Sequence, residues 1–225
     1  MRGSPFARKG RLHVKRFLIA VAVMAAWAIP ASTDAINALT PKEAAQGWKL
    51  LWDGKTLDGL KVYGNATWTI QDGALVSGGP GGWLGTADDY SDFMVKAEFR
   101  TSEPNINSGI YLRRSRDAGD SHMMGYEMQI RNPNPKDKPY DGKSDNHNGY
   151  YTGSFSGHLK SHNEPVIEMG KWNTAEITAQ GDHFIVVING IKVLDDHHAA
   201  FKTGAIGLQH TGQKIEFRNF KIKTL

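Results

Sequence analysis

From residue 48 onward, apolar and polar residues alternate with period two over short runs, which predicts strands rather than helices. The cleanest run is Asp92–Thr101: Phe93, Val95, Ala97 and Phe99 fall on one face, and Lys96, Glu98 and Arg100 on the other. Two more follow at Ser108–Arg113 and Gly125–Ile130. In the first, Ile110 and Leu112 point one way while Tyr111 and Arg113 point the other. In the second, Tyr126, Met128 and Ile130 share a face, and Glu127 shares the opposite one with Gln129. A strand face that only meets water has little use for Tyr, Arg, Glu and Gln together. This pair of strands is therefore expected to floor a polar cleft.

Turn signals divide the remainder. Thr67–Ile70 and Ala74–Ser77 flank Gln71-Asp72-Gly73, and Asn189-Gly190 leads from Phe184–Ile188 into Ile191–Leu194. Asp-Gly and Asn-Gly supply the positive φ angles of a tight hairpin. Trp48–Trp52, Trp83-Leu84, Trp172–Ala179, Gly204–His210 and Lys214–Lys223 complete the expected strands. One short helix is predicted after Thr40, with Pro41 at its first position and Glu43 completing a capping box. Short strands at this spacing predict an all-β sandwich of two antiparallel sheets. Residues 131–170 break the alternation and carry Tyr140, Tyr150, Tyr151 and Phe155 among many polar residues. A nonrepetitive stretch of that length in a β domain is usually functional or disordered, and its aromatics predict a wall of the cleft.

The start of the chain differs from all of this. Arg2, Arg8, Lys9, Arg11, Lys15 and Arg16 precede an apolar run from Phe17 to Ile29, followed by small residues at Ala31, Ser32, Thr33 and Ala35. That run is short of the roughly 20 residues a membrane span requires and fits a cleaved export signal. Residues 1–35 are thus expected to be a signal peptide and 36–225 the working domain, periplasmic or secreted, with no stable membrane insertion once the leader is cut. The leader also accounts for the formal charge of +4: without it, 21 basic residues face 22 acidic ones. A nucleic-acid partner loses its basis there. The chain has no cysteine, so no disulfide framework supports the fold.

Several motifs occur in order: Asp53-Gly54-Lys55-Thr56-Leu57, Asp72-Gly73-Ala74-Leu75, Asn107-Ser108-Gly109-Ile110-Tyr111-Leu112-Arg113, Gly125-Tyr126-Glu127-Met128-Gln129-Ile130, Lys171-Trp172-Asn173, Gly204-Ala205-Ile206-Gly207-Leu208-Gln209 and Phe217-Arg218-Asn219-Phe220. Over roughly residues 44–225 this series resembles the 3-keto-disaccharide hydrolase domain. The resemblance implies a concanavalin A-like jelly-roll sandwich and an exported enzyme that cleaves glycosides already oxidised to a ketone at C3. Two positions depart from the family pattern: Asn132 stands where an acid is usual, and His210 comes one place early in the late motif.

Related sandwich glycosidases carry two carboxylates on one strand face, whereas here the run is Glu127-Met128-Gln129-Ile130-Arg131-Asn132. A double displacement requires two carboxyl groups, so an ordinary glucanase is disfavoured. A 3-ketone instead acidifies the C2 proton, and one base then suffices for elimination at C1 followed by hydration. Glu127 and His210 are the candidate catalytic residues. Asn107, Tyr111, Arg113, Gln129, Tyr150 and Gln209 are expected to hold the carbohydrate or the enolate. A plainer role for Glu127 is a cross-strand ion pair with Arg113. Trp68, Trp83, Tyr111 and Tyr150 are candidates for stacking on a sugar ring, with Trp48 and Trp172 assigned to the core. No histidine spacing matches a zinc motif; solvated loop histidines are the plain reading of His122, His147, His158 and His162, and a loop-built divalent-ion site is the alternative. The competing function is a non-catalytic carbohydrate-binding module of the same fold.

Overall fold

Alternation and turn chemistry produce thirteen strands among the described residues, which in this computed structural model are 35–103, 106–118, 124–131, 150–162 and 167–225. They lie within one compact unit, Asp34–Leu225. The capping box forms as the sequence predicts: Glu43 N donates to Thr40 Oγ1, and Thr40 N donates to the Glu43 carboxylate, starting helix α1 (Pro41–Ala45). The strands are β1 (Lys49–Leu50), β2 (Leu60–Gly64), β3 (Thr67–Gln71), β4 (Ala74–Gly78), β5 (Gly82–Thr86), β6 (Phe93–Arg100) and β7 (Asn107–Arg114). They continue with β8 (Tyr126–Arg131), β9 (Asn173–Gln180), β10 (His183–Ile188), β11 (Ile191–His197), β12 (Ala205–His210) and β13 (Glu216–Thr224). Strand β2 was not expected, and it supplies one edge of the smaller sheet.

Two antiparallel sheets form the sandwich. The larger has eight strands in the order β11-β10-β9-β6-β13-β4-β3, with β1 also on β13; the smaller has five, β2-β5-β12-β7-β8. The Asp72-Gly73 and Asn189-Gly190 turns take positive φ at both residues (50° and 72°, 49° and 78°), the geometry that matches strand twist in a two-residue hairpin. Between the sheets, Phe93, Val95, Ala97 and Phe99 of β6 meet Ile110 and Leu112 of β7, Met128 and Ile130 of β8, and Leu208 of β12 in one hydrophobic core.

The five-stranded sheet positions the site. An antiparallel sheet commonly leaves its second face to water, yet every residue of Ser108–Arg114 and Tyr126–Ile130 is buried. The polar side of β7 and β8 is therefore closed in. Part of the 131–170 segment lies at its rim: Gln129 N donates to Ser154 O, Gly153 N to Gln129 O, and Ser156 N to Glu127 O, all at 2.9–3.0 Å. This edge stretch also sends Phe155 into the core, so it is part of the packing and more than a wall. Residues 132–149 and 163–166 of that segment, with Asn132, Tyr140 and His147, lie outside the described residues, as does His122.

Trp172 departs from its expected core position. Two guanidinium groups of the large sheet lie over its ring, Arg100 at 4.5 Å and Arg218 at 4.1 Å. Arg218 and Asn219 in turn hold Glu98, at 2.6 and 2.7 Å, and fix the last strand.

Candidate active site

Strand register brings the polar residues of the small sheet into rows on the face away from the core. One row runs Lys61, Gly85, Gly207, Tyr111, Glu127 across all five strands. The next holds Tyr63, Trp83 and Gln209, with Gly109 opposite Gln129. Glycines occupy the gaps because flat side chains lie over them. A Cβ on Gly85 or Gly207 would sit 2.2 or 2.4 Å from the Trp83 ring, and one on Gly109 would sit 2.7 Å from Glu127 Cγ. Trp83 stacks under Tyr63 at 4.3 Å and meets Tyr111 edge-on at 5.6 Å.

Glu127 is 3% exposed. Burial raises its pKa from 4.5 to about 7, against the opposing pull of the Arg114 and Arg131 charges and a hydrogen bond from Gln209. Taking a carboxylate out of water disfavours its charged form, and here that effect outweighs two nearby cations. The Gln209 amide also donates to Tyr111 Oη at 2.6 Å, and Gln129 Nε2 donates to Asn107 Oδ1 at 2.6 Å. Trp83 Nε1 and Gln209 Oε1 are buried without a partner among the described residues. Buried polar atoms are nearly always bonded in a native protein, so these two suit a face that receives a hydroxylated ligand.

Two expected members are elsewhere. Arg113 does not join Tyr111. A bulge shifts the β7–β12 register between Ala205 and Gly207, and Arg113 takes a φ of 50°. One extra residue in a strand reverses the alternation beyond it. The Arg113 side chain, 1% exposed, therefore turns to the end of the sandwich, where it donates to Ser91 O (2.7 Å), Gly181 O (2.7 Å), Phe201 O (3.0 Å) and Asp92 Oδ1 (3.2 Å). Its neighbour Arg114 takes the place on the polar face, with its guanidinium 3.9 Å from the Tyr111 ring and 5.1 Å from Trp83. An ion pair of Arg113 with Glu127 is thereby replaced by the field of Arg114.

His210 follows Leu208 on the core side of β12, so it is not beside Glu127. Its Nδ1 lies 2.9 Å from Ser77 Oγ and its Nε2 2.8 Å from Gly79 O and 3.2 Å from Gly212 N, contacts that tie β12 to β4 and the turn after it. Tyr150 is half-buried at the start of the edge stretch, with Lys160 Nζ 5.5 Å from its ring. Trp68 packs on Phe217 within the core and offers no platform. Sequence reasoning missed Tyr63 and Arg114. Among the described residues no group of three His, Asp or Glu side chains is placed to hold a metal ion.

A hollow of about 230 Å³ opens on this face, lined by Gly81, Gly82, Tyr111, Gln209 and Thr211, and bordered by His210, whose ring nitrogens are already engaged. A hollow of about 200 Å³ on the outer face of the large sheet is also polar, but its charges pair with one another: Lys221 with Glu43 at 2.9 Å and Lys96 with Glu176 at 3.0 Å. A third, of about 320 Å³ beside Asp92 and Phe201, is mostly apolar. Carboxyls beside the other two hollows, Glu43 and Asp182, are held below their ordinary range by their hydrogen-bond partners. The Tyr111–Gln209 hollow instead adjoins Glu127, whose pKa burial raises, which marks it as the candidate site.

Residues 47–223 match the 3-keto-alpha-glucoside-1,2-lyase-like domain. The chain is 24% identical over 233 aligned residues to the 3-keto-disaccharide hydrolase of Bacteroides thetaiotaomicron, covering 80% of this chain and 79% of that protein. The crystal structure of a candidate glycosyl hydrolase from Parabacteroides distasonis superposes with a TM-score of 0.74 at 24% identity, over 85% of this chain and all of the other. The carbohydrate-binding module CBM66 of Bacillus subtilis gives 0.50 at 18% identity, over 72% of this chain and 94% of the module. At these identities the two structures establish the lectin- and glycosidase-type sandwich fold.

Proposed function

This chain belongs to the 3-keto-alpha-glucoside-1,2-lyase-like domain family, and on that premise we propose that it cleaves 3-keto-glycosides by removing the C2 proton and expelling the glycosidic oxygen from C1. Water then adds to the unsaturated sugar. The observation that carries this reading is Glu127, one buried carboxyl poised near neutrality with an amide, Gln129, where a second carboxylate would serve a displacement. A base works best with a pKa near the working pH. Glu127 is the final proton acceptor, Arg114 supplies positive charge beside the site for the enolate, and Asn107, Gln129 and Gln209 hold sugar hydroxyls. The test is to incubate the purified protein with a 3-keto-disaccharide beside its unoxidised parent. Cleavage of the keto sugar alone is expected; equal cleavage of both would return the case to a conventional glycosidase.

Glu127 must be ionised to accept a proton, so kcat/KM should rise with pH through about 7 and level off above it. A pH–rate profile falling between pH 6 and 8 would remove Glu127 from that role. Gly109→Ala should depress turnover as well, because its Cβ would meet Glu127 Oε1 at 2.8 Å and Met128 O at 2.9 Å. Turnover at the wild-type level, with the wild-type pH profile, would show that the carboxyl does not depend on that space.

The second reading, a binding module, draws on the fold shared with CBM66. In that case Glu127→Gln would leave sugar binding unchanged and there would be no turnover to lose. We also propose export with cleavage between Ala31 and Ala35, so that the mature chain begins between Ser32 and Ile36. Asn37 exchanges backbone-to-side-chain hydrogen bonds with Asn219 at 2.7 and 2.8 Å, so the folded domain retains it. N-terminal sequencing of exported protein checks this; an intact residue 1 would contradict it.

A further inference from the structure

Glu127 does not line the hollow, whereas Tyr111 does. The two stand directly opposite each other across β7 and β8, a spacing that brings side chains into contact on one face. Gln209 donates to both, at 2.6 Å to Tyr111 Oη. The Arg114 guanidinium lies 3.9 Å from the Tyr111 ring and fixes its place on this face. Trp83 closes the edge of the same ring at 5.6 Å.

We infer that Tyr111 is the catalytic residue that meets the substrate, taking the C2 proton on Oη while its own proton passes to Glu127 behind it. This rests on the elimination reading above. In the step, the C2–H bond breaks, an O–H bond forms at Tyr111, and the former phenol proton moves to the Glu127 carboxylate. The electron pair left on C2 is first held as the enolate on the C3 oxygen, and then forms the C1–C2 double bond as the C1–O bond breaks. The proton held on Glu127 returns through Tyr111 to the departing oxygen, so the pair ends in its starting state. Glu127 is a positioning and proton-holding residue in this scheme, and its burial keeps water from short-circuiting the relay.

Tyr111→Phe tests it, because the ring that packs on Arg114 and Trp83 is kept and only the hydroxyl goes. With a 3-keto-glucoside, kcat should fall by about 10²–10⁴ with KM little changed. Exchange of a C2 deuterium with solvent should fall in parallel, and the thermal midpoint should stay close to wild type. Wild-type turnover with an equally active Tyr111→Phe overturns this inference alone. A wild type inert towards keto sugars overturns the elimination reading and the inference together. If the Phe variant does not fold, Gln209→Met replaces it: losing the donor to Oη should lower kcat about tenfold, with the larger effect on kcat than on KM. A loss confined to KM, with kcat unchanged, would leave Gln209 only its hold on the sugar and contradict the relay.

Discussion

Glu127→Gln is expected to be both more stable than the wild type above neutral pH and nearly inactive. The two effects share one cause. In the folded protein the carboxyl has its pKa raised from 4.5 to about 7 by burial, with Arg114, Arg131 and Gln209 only partly opposing it. A raised carboxyl pKa stabilises the fold below the unfolded value, and that contribution is lost as pH rises through the folded one. Between pH 4.5 and about 7 the wild type therefore weakens. At about 1.36 kcal/mol per pH unit, the span from 4.5 to about 7 is worth roughly 3 kcal/mol. Glutamine keeps the shape and removes the titration. Repulsion between Arg114 and Arg131, no longer screened by a carboxylate, trims the gain. Urea denaturation at several pH values should show variant and wild type converging near pH 4, separating up to about pH 7 and running parallel above it. Turnover of a keto sugar should drop by about 10²–10⁴ in the same variant. Equal stability at all pH values would mean that the carboxyl is solvated.

Arg113→Met should be the most destabilising single change on this end of the sandwich. Methionine fills the space beside Phe184, whose ring lies 5.2 Å from the guanidinium. It cannot donate to Ser91 O, Gly181 O or Phe201 O, three carbonyls from three separate loops. Taking the donor away from three carbonyls, and the cation from an Asp92 that is 42% exposed, costs on the order of 1–3 kcal/mol. Activity in the surviving folded fraction should fall too, because the bulge that turns Arg113 inward is what presents Arg114 to Tyr111. Lys171→Ala, which breaks an exposed pair with Glu168, should cost far less. If the two variants melt alike, the Arg113 network is not the tie it is described to be.

Much of this was legible in the residues. Period-two alternation located β6, β7 and β8, and Asp72-Gly73 and Asn189-Gly190 located their hairpins, because those signals are local. Glu127 and Gln129 fell on the polar face as the alternation required. Arg113 could not be read that way. Its bulge is made by distant partners, with Gly204 and Gly125 leaving room for the backbone of residues 113 and 114, and an arginine at positive φ carries no sequence signal. His210 was readable in principle, since period two pairs it with Leu208 on the core side. Strand β2 was overlooked because five residues between turns alternate too briefly to stand out, and Tyr63 was missed with it. The glycines were the unused clue. Gly85, Gly109 and Gly207 interrupt three neighbouring strands on one face, as expected where flat side chains must lie close to the backbone.

The central claim is that the C2 proton is removed before the glycosidic bond is lost, and isotope exchange addresses it directly. A 3-keto-disaccharide deuterated at C2 should react with the purified protein more slowly than its protonated twin and release its label to solvent, while the unoxidised deuterated parent stays intact. Complete turnover with all of the C2 deuterium retained in the product would contradict the account and place the chemistry at C1 alone.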